Sequence, residues 1–310
     1  MNGTNTKKIN MNRVNSSSLF HFTQKLDTLK KIIKNGLRYS FAYEQYPSSI
    51  VQSYLSPFED INDDLKMANG VAIPMISFCD IPITRASEHI DRYGHYMIGL
   101  NKNNFSRDFA NIINPVIYVH SPNLENAITR FGIEYGKAER EILKMFTDRN
   151  IVNSFIGKTK QELLCDNDFI KIIDPLINIR FLSNFLIGLI KPIKDETYSY
   201  YDEREWRLFL PEEAKGINWI WGITKKEYKQ ERNSWNESLE KNEDMFIKIP
   251  WEYYDEYITH IVVSKEKEID ALIKFIMESD KIFGYDSNKD YFRMKLISKI
   301  TSFERIEKDF

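Results

Sequence analysis

The segment Tyr201-Asp202-Glu203-Arg204-Glu205-Trp206-Arg207 concentrates the side chains best suited to chemistry in this chain. In an extended strand alternate residues share a face, so Glu203, Glu205 and Arg207 would stand together, with Arg204, Trp206 and Leu208 opposite. Two carboxylates side by side have a defined use: they can hydrogen-bond the hydroxyls of a sugar and oppose the positive charge that develops as a glycosidic bond breaks. A guanidinium beside them can bind phosphate or hold the carboxylates in place. Cross-strand ion pairing without catalysis is the commoner reason for such an alternation.

Other chemistry-bearing residues are scattered. His21 sits in the aromatic run SLFHFT, where a hydrogen-bonded core role competes with a ligand role. His89 and His95 are six apart and lack the i, i+4 spacing of a helical zinc pair, so no metal is expected. Cys79 and Cys165 fall in no metal-ligand spacing and read as reduced thiols. Gly157-Lys158-Thr159 ends like a phosphate loop, but Val152 stands where its first glycine is required. Trp219 with Trp221, and the run Tyr198 to Tyr201, could stack bases, although core packing is the more frequent use of such clusters. The basic run Lys225 to Arg232 reads as a solvated face.

Composition narrows the function classes. The 310 residues are 42% apolar and 28% charged, with 12 Gly and 10 Pro, which excludes collagenous and largely disordered chains. Forty-three Lys and Arg against 45 Asp and Glu give a net charge of −2, without the basic excess of a dedicated nucleic-acid binder. A membrane span needs roughly 18 uninterrupted apolar residues. The best run, Phe181 to Ile190, is too short, and a buried helix is expected there. Residues 1–17 carry no apolar signal region and read as a flexible arm, so the expected location is the cytoplasm.

The elements that must position these residues follow from periodicity. Ser18 to Thr23 reads as a strand and Gln24 to Asn35 as a helix capped by Gly36. Ala72 to Ile83 reads as a strand whose regular pairing Pro74 and Pro82 confine to Met75 to Ile81. A helix over Thr84 to Tyr93 and strands over His95 to Leu100, Asn114 to His120, Glu203 to Leu210, Phe246 to Ile249 and Ile258 to Val263 are expected, then a helix over Lys265 to Met277. Residues 123–190 read as a helical insertion, and Lys225 to Asp244 as a solvated helix or loop. With no repeat and no Gly/Ser linker, 18–310 reads as a single α+β domain.

The entry unit, Leu19-Phe20-His21-Phe22-Thr23 followed by Leu26, Leu29, Ile32, Ile33 and Gly36-Leu37, resembles that of ADP-ribosyltransferase-like domains, including DarT-type toxins, and the EREWR segment resembles their late catalytic strand. FHFT, PMISFCDIP, the turn Tyr93-Gly94-His95-Tyr96 into Ile98-Gly99-Leu100, and Tyr201 to Arg207 together resemble the abortive phage resistance AbiGi family over about residues 18–210. The first resemblance implies a split, mostly antiparallel sheet with an NAD cleft. It implies that His21, with Thr23, orients NAD, and that an aromatic among Tyr39, Phe41 and Tyr43 stacks on nicotinamide. It implies that Glu205 faces the nicotinamide ribose while Glu203 activates the acceptor. Arg38 or Arg207 would meet the pyrophosphate, because a guanidinium offers paired donors to phosphate oxygens.

The second resemblance implies the antitoxin half of an abortive-infection pair. The resulting expectation is an NAD-dependent ADP-ribosyltransferase acting on a nucleic acid or protein in bacterial anti-phage defence, with a possible cognate toxin or antitoxin partner and no membrane. The alternatives are a non-enzymatic antitoxin that binds a toxin or nucleic acid, and an NAD glycohydrolase.

Overall fold

The computed structural model describes residues 16–46, 51, 69–109, 112–119, 186–192, 199–210, 217–286 and 290–309, with isolated positions between 127 and 162. Residues 1–15 of the expected arm, most of the expected helical insertion, His120 and Cys165 lie outside the described residues. The last two arm residues are tied down: the Ser16 amide donates to Asp80 and the Ser17 carbonyl accepts from Lys102 N.

Strands run in chain order as β1 (Ser18–Thr23), β2 (Leu37–Arg38), β3 (Ser40–Gln45), β4 (Gly70–Cys79), β5 (Tyr96–Asn101), β6 (Ile113–Pro115), β7 (Ile117–Val119) and β8 (Ile190–Pro192). They continue as β9 (Glu205–Phe209), β10 (Ile220–Ile223), β11 (Phe246–Ile247), β12 (Ile258–Val263), β13 (Lys281–Ile282), β14 (Tyr285–Asp286) and β15 (Ile300–Ser302). Nine of them form one mixed sheet in the order β15-β12-β5-β1-β4-β9-β6, with β3 and β10 also paired to β4. Within it β12 and β15 are parallel and the other pairs are antiparallel. The chain is thus α+β, as its alternation of period-2 and period-3.6 segments predicts.

Strand β4 is the centre because it can bear burial on both faces: nine of its ten residues are buried. It starts earlier than expected and runs through Pro74, which pairs with Phe41. Phe41 N donates to Asn236 Oδ1 (2.8 Å) and its carbonyl accepts from Tyr228 OH (2.7 Å), so its backbone polar groups face away from β4. The missing Pro74 N–H therefore points to the other edge of β4, between the β9 ladder, which begins at Met75, and the β10 ladder, which ends at Ala72. A proline there removes no ladder bond.

The helix Leu26–Asn35 buries Leu29, Ile32 and Ile33 and ends at Gly36, whose φ of 97° suits a residue without a Cβ. The long helix Lys225–Glu240 begins with a capping box, in which Thr224 Oγ1 accepts from Glu227 N and Glu227 accepts from Thr224 N. Tyr228, Trp235, Asn236 and Leu239 form its inward stripe and pack it against β3 and the core beneath, while most of its other residues are exposed. Trp219 is core as well: it stacks on Trp221, and its indole N–H donates to the Leu210 carbonyl. Among the described residues no helix is long and apolar enough to cross a membrane.

Candidate functional site

The register of β4 explains how a cavity forms in a sheet. Met75 pairs with both Phe209 and Ser40, and Cys79 with both Glu205 and Phe20, so β9 lies along one edge of β4 while β3 and β1 share the other. Between the β3 and β1 ladders, Ile76 to Phe78 have no strand partner on that edge among the described residues. A cavity of about 910 Å³ opens at this split. His21 bridges the gap: its Nδ1 donates to the Ser77 carbonyl (2.9 Å), because a carbonyl can only accept. Burial depresses the His21 pKa, partly offset by that bond, so the ring is neutral at pH 7 with Nε2 as the acceptor nitrogen.

The floor is a buried charge network. Arg207, without exposed surface, donates from Nε and Nη2 to Glu205 (2.9 and 3.2 Å), from Nη2 to Glu44 (3.0 Å) and from Nη1 to the Gly188 carbonyl (2.9 Å). Lys191 on β8 reaches both Glu205 (2.7 Å) and Glu203 (2.9 Å), and its ammonium lies 4.6 Å from the Tyr200 ring centre. Tyr93 OH donates to Glu203 at 2.5 Å, and the Glu205 amide donates to Tyr118 OH. Burial alone would raise the Glu205 pKa, but Arg207 and Lys191 outweigh it and bring it down to about 2. Burial likewise works against the Lys191 ammonium, and Glu205, Glu44 and Glu203 overcome it and hold the pKa above its ordinary value. Burial, reinforced by Glu203 and Glu205, pushes the Cys79 thiol up, which removes it as a thiolate nucleophile.

Aromatic side chains form the walls and cations the mouth. Phe22, Tyr43, Tyr46, Tyr93, Tyr200 and Tyr228 line the cavity, and Lys225, Lys229 and Arg232 of the long helix stand at its exposed side with Arg92. Tyr43 can lie across the end of β4 because position 70 is glycine: a Cβ there would meet the Tyr43 ring at 2.2 Å and the Ile223 carbonyl at 2.5 Å.

The residues singled out from sequence distribute unevenly. His21, Tyr43, Glu203 and Glu205 line one cavity. Glu203 is not on the strand, which begins at Glu205; it ends the 3-10 turn Tyr200–Glu203, and Arg204 follows in the left-handed region at φ 45°. The two carboxylates still converge, because both hold Lys191. Arg207 is sealed beneath the cavity by Glu44 and Glu205 and cannot reach a pyrophosphate. Tyr39 is a core residue at 1% exposure, so it cannot clamp a nicotinamide. Thr23 is buried on β1 and does not line the cavity. Arg38 lies on the neighbouring groove, paired with Glu240 (2.7 Å).

Sequence reasoning missed Lys191, Glu44, Tyr93, Tyr228 and the three helix cations. For Lys191 a signal existed: a lysine closing an apolar run is placed where its charge must find partners. The cations recur at i, i+4 and i+7, which puts them on one helix face.

Residues 48–165 match a family model described as "Putative abortive phage resistance protein AbiGi, antitoxin". The matched span contributes β4, Tyr93 and Arg92 to the cavity; His21, Glu203, Glu205 and the long helix lie outside it. No curated protein matches the chain, and no solved structure does. The ADP-ribosyltransferase expectation is corrected by this match, since the model that residues 48–165 match is described as an antitoxin of abortive phage resistance. The geometry agrees: Glu205 is already neutralised by two buried cations instead of facing the cavity as an uncompensated charge.

Proposed function

We propose that this chain is the antitoxin-type member of an abortive phage resistance pair and works by binding its cognate toxin. The match of residues 48–165 to an antitoxin family carries the reading. The internally paired floor supports it, because a network whose members hydrogen-bond one another provides a rigid base for a binding surface. The occupied carboxylates and the sealed Arg207 provide no group whose charge is held ready for a developing transition state.

The test is neutralisation. Each protein encoded immediately beside this chain is expressed alone and together with it, and host growth is followed. One neighbour is expected to arrest growth alone, to be silenced by co-expression, and to co-purify with this chain. Growth arrest caused by this chain alone, abolished by Glu205→Gln, would overturn the reading.

A further inference from the structure

Lys225, Lys229 and Arg232 share one exposed face of the long helix and border the cavity, yet among the described residues none of the three has a carboxylate within ion-pair distance. The floor is different in sign: three carboxylates, Glu44, Glu203 and Glu205, surround two cations, Lys191 and Arg207, leaving one formal negative charge in excess. Tyr228 and Arg232 also line a second groove of about 400 Å³, toward Arg38, Ser40 and Asn236, so the two depressions share a border at these two residues. The second groove also carries Glu237 and Arg38, the latter paired with Glu240, so Lys225, Lys229 and Arg232 mark the cavity side of this surface.

We propose that this surface receives an acidic segment of the partner protein, whose carboxylates pair with Lys225, Lys229 and Arg232; the proposal rests on the antitoxin reading above. Complementary charge is what the three cations lack among the described residues. Glu227 and Glu231 interrupt the basic run on the same helix, so its cations form a short patch and not a continuous track. A nucleic-acid backbone needs a continuous track of cations, so a protein segment with a few carboxylates fits better. Tyr228, whose hydroxyl is already spent on the Phe41 carbonyl, offers its ring as the ridge over which that segment passes.

The test uses the full chain and the triple variant Lys225→Glu/Lys229→Glu/Arg232→Glu, with the Thr224–Glu227 cap left intact and folding checked by circular dichroism. Two fluorescent probes are titrated: a ten-residue peptide alternating Glu and Ser, and a single-stranded ten-nucleotide DNA. The peptide is expected to bind the wild type, more weakly as salt rises, and to lose roughly tenfold to a hundredfold in affinity with the triple variant, as reversed rim charges slow association. In the neutralisation assay the triple variant is expected to lose protection. Tighter binding of the DNA than of the peptide, or full protection by the triple variant, would overturn the surface while leaving the antitoxin reading standing. Failure of the wild type to neutralise any neighbour would overturn both.

Discussion

Two charged regions meet at one cavity and differ in nearly every physical respect. The floor brings Glu44, Lys191, Glu203, Glu205 and Arg207 together from four chain segments in a setting largely closed to water. The mouth presents Lys225, Lys229 and Arg232 from one helix into solvent. In the floor three carboxylates share two cations, so removing any member leaves another buried charge without one of its partners. At the mouth each charge is solvated and dispensable to folding, which frees it for a partner. Burial, more than residue type, therefore separates the charges that hold this protein together from those available for recognition.

That contrast can be broken by substitution. Arg207→Met strands Glu44 and Glu205 without their shared cation and should cost about 3–5 kcal/mol, the range for removing one member of a buried pair. Thermal unfolding measures it, and an unchanged midpoint would mean that the floor is wetter and weaker than described.

Acid should act on the floor next. The Glu205 pKa is depressed from its ordinary value to about 2, so its contribution is complete above the unfolded value near 4.5 and is lost as pH falls toward 2. His21 is also depressed, by burial, and its contribution starts to fall earlier, below its ordinary 6.5. Urea unfolding between pH 8 and pH 3 should show stability declining first below pH 6.5 and then more below pH 4.5; a rise on acidification would contradict both assignments.

A smaller effect tests the junction between the regions. Tyr228→Phe removes the hydroxyl that caps the Phe41 carbonyl and should cost about 1 kcal/mol, with little change in peptide binding because the ring remains. A loss of binding with unchanged stability would show that the hydroxyl faces the partner.

The smallest effect belongs to the mouth. Reversing Lys225, Lys229 and Arg232 together should leave unfolding free energy within about 0.5 kcal/mol of wild type, since exposed charges away from pairs contribute little. A large destabilisation would place these cations in the structural class with the floor.

Several features were legible from residue order because their causes are local. Ser18–Thr23, the Gly36-capped helix and Ile258–Val263 appear where alternation and helical spacing put them. Lys225 to Asp244, read as a solvated helix or loop, is a helix to Glu240, and its capping box and inward stripe of Tyr228, Trp235 and Leu239 lie within one segment. Other boundaries moved because neighbours set them: the strand expected from Glu203 starts at Glu205, and Asn114 to His120 divides into β6, on β9, and β7, on β8. Strand β10, paired to β4, was read only as an aromatic cluster, because four residues are too few to show a period.

The sequence by itself determined the α+β class, the main helices and strands, the presence of a Glu-Arg alternation and the near-zero net charge, since each depends on composition or on residues a few positions apart. Tertiary structure alone decided what those charges do. Glu44 and Arg207 meet across 163 positions, and Lys191 reaches back from β8 to both carboxylates, so the acids are compensated only once the sheet has formed. Ion pairing in a water-poor interior acts over a few ångströms whatever the separation along the chain, and no local pattern records it.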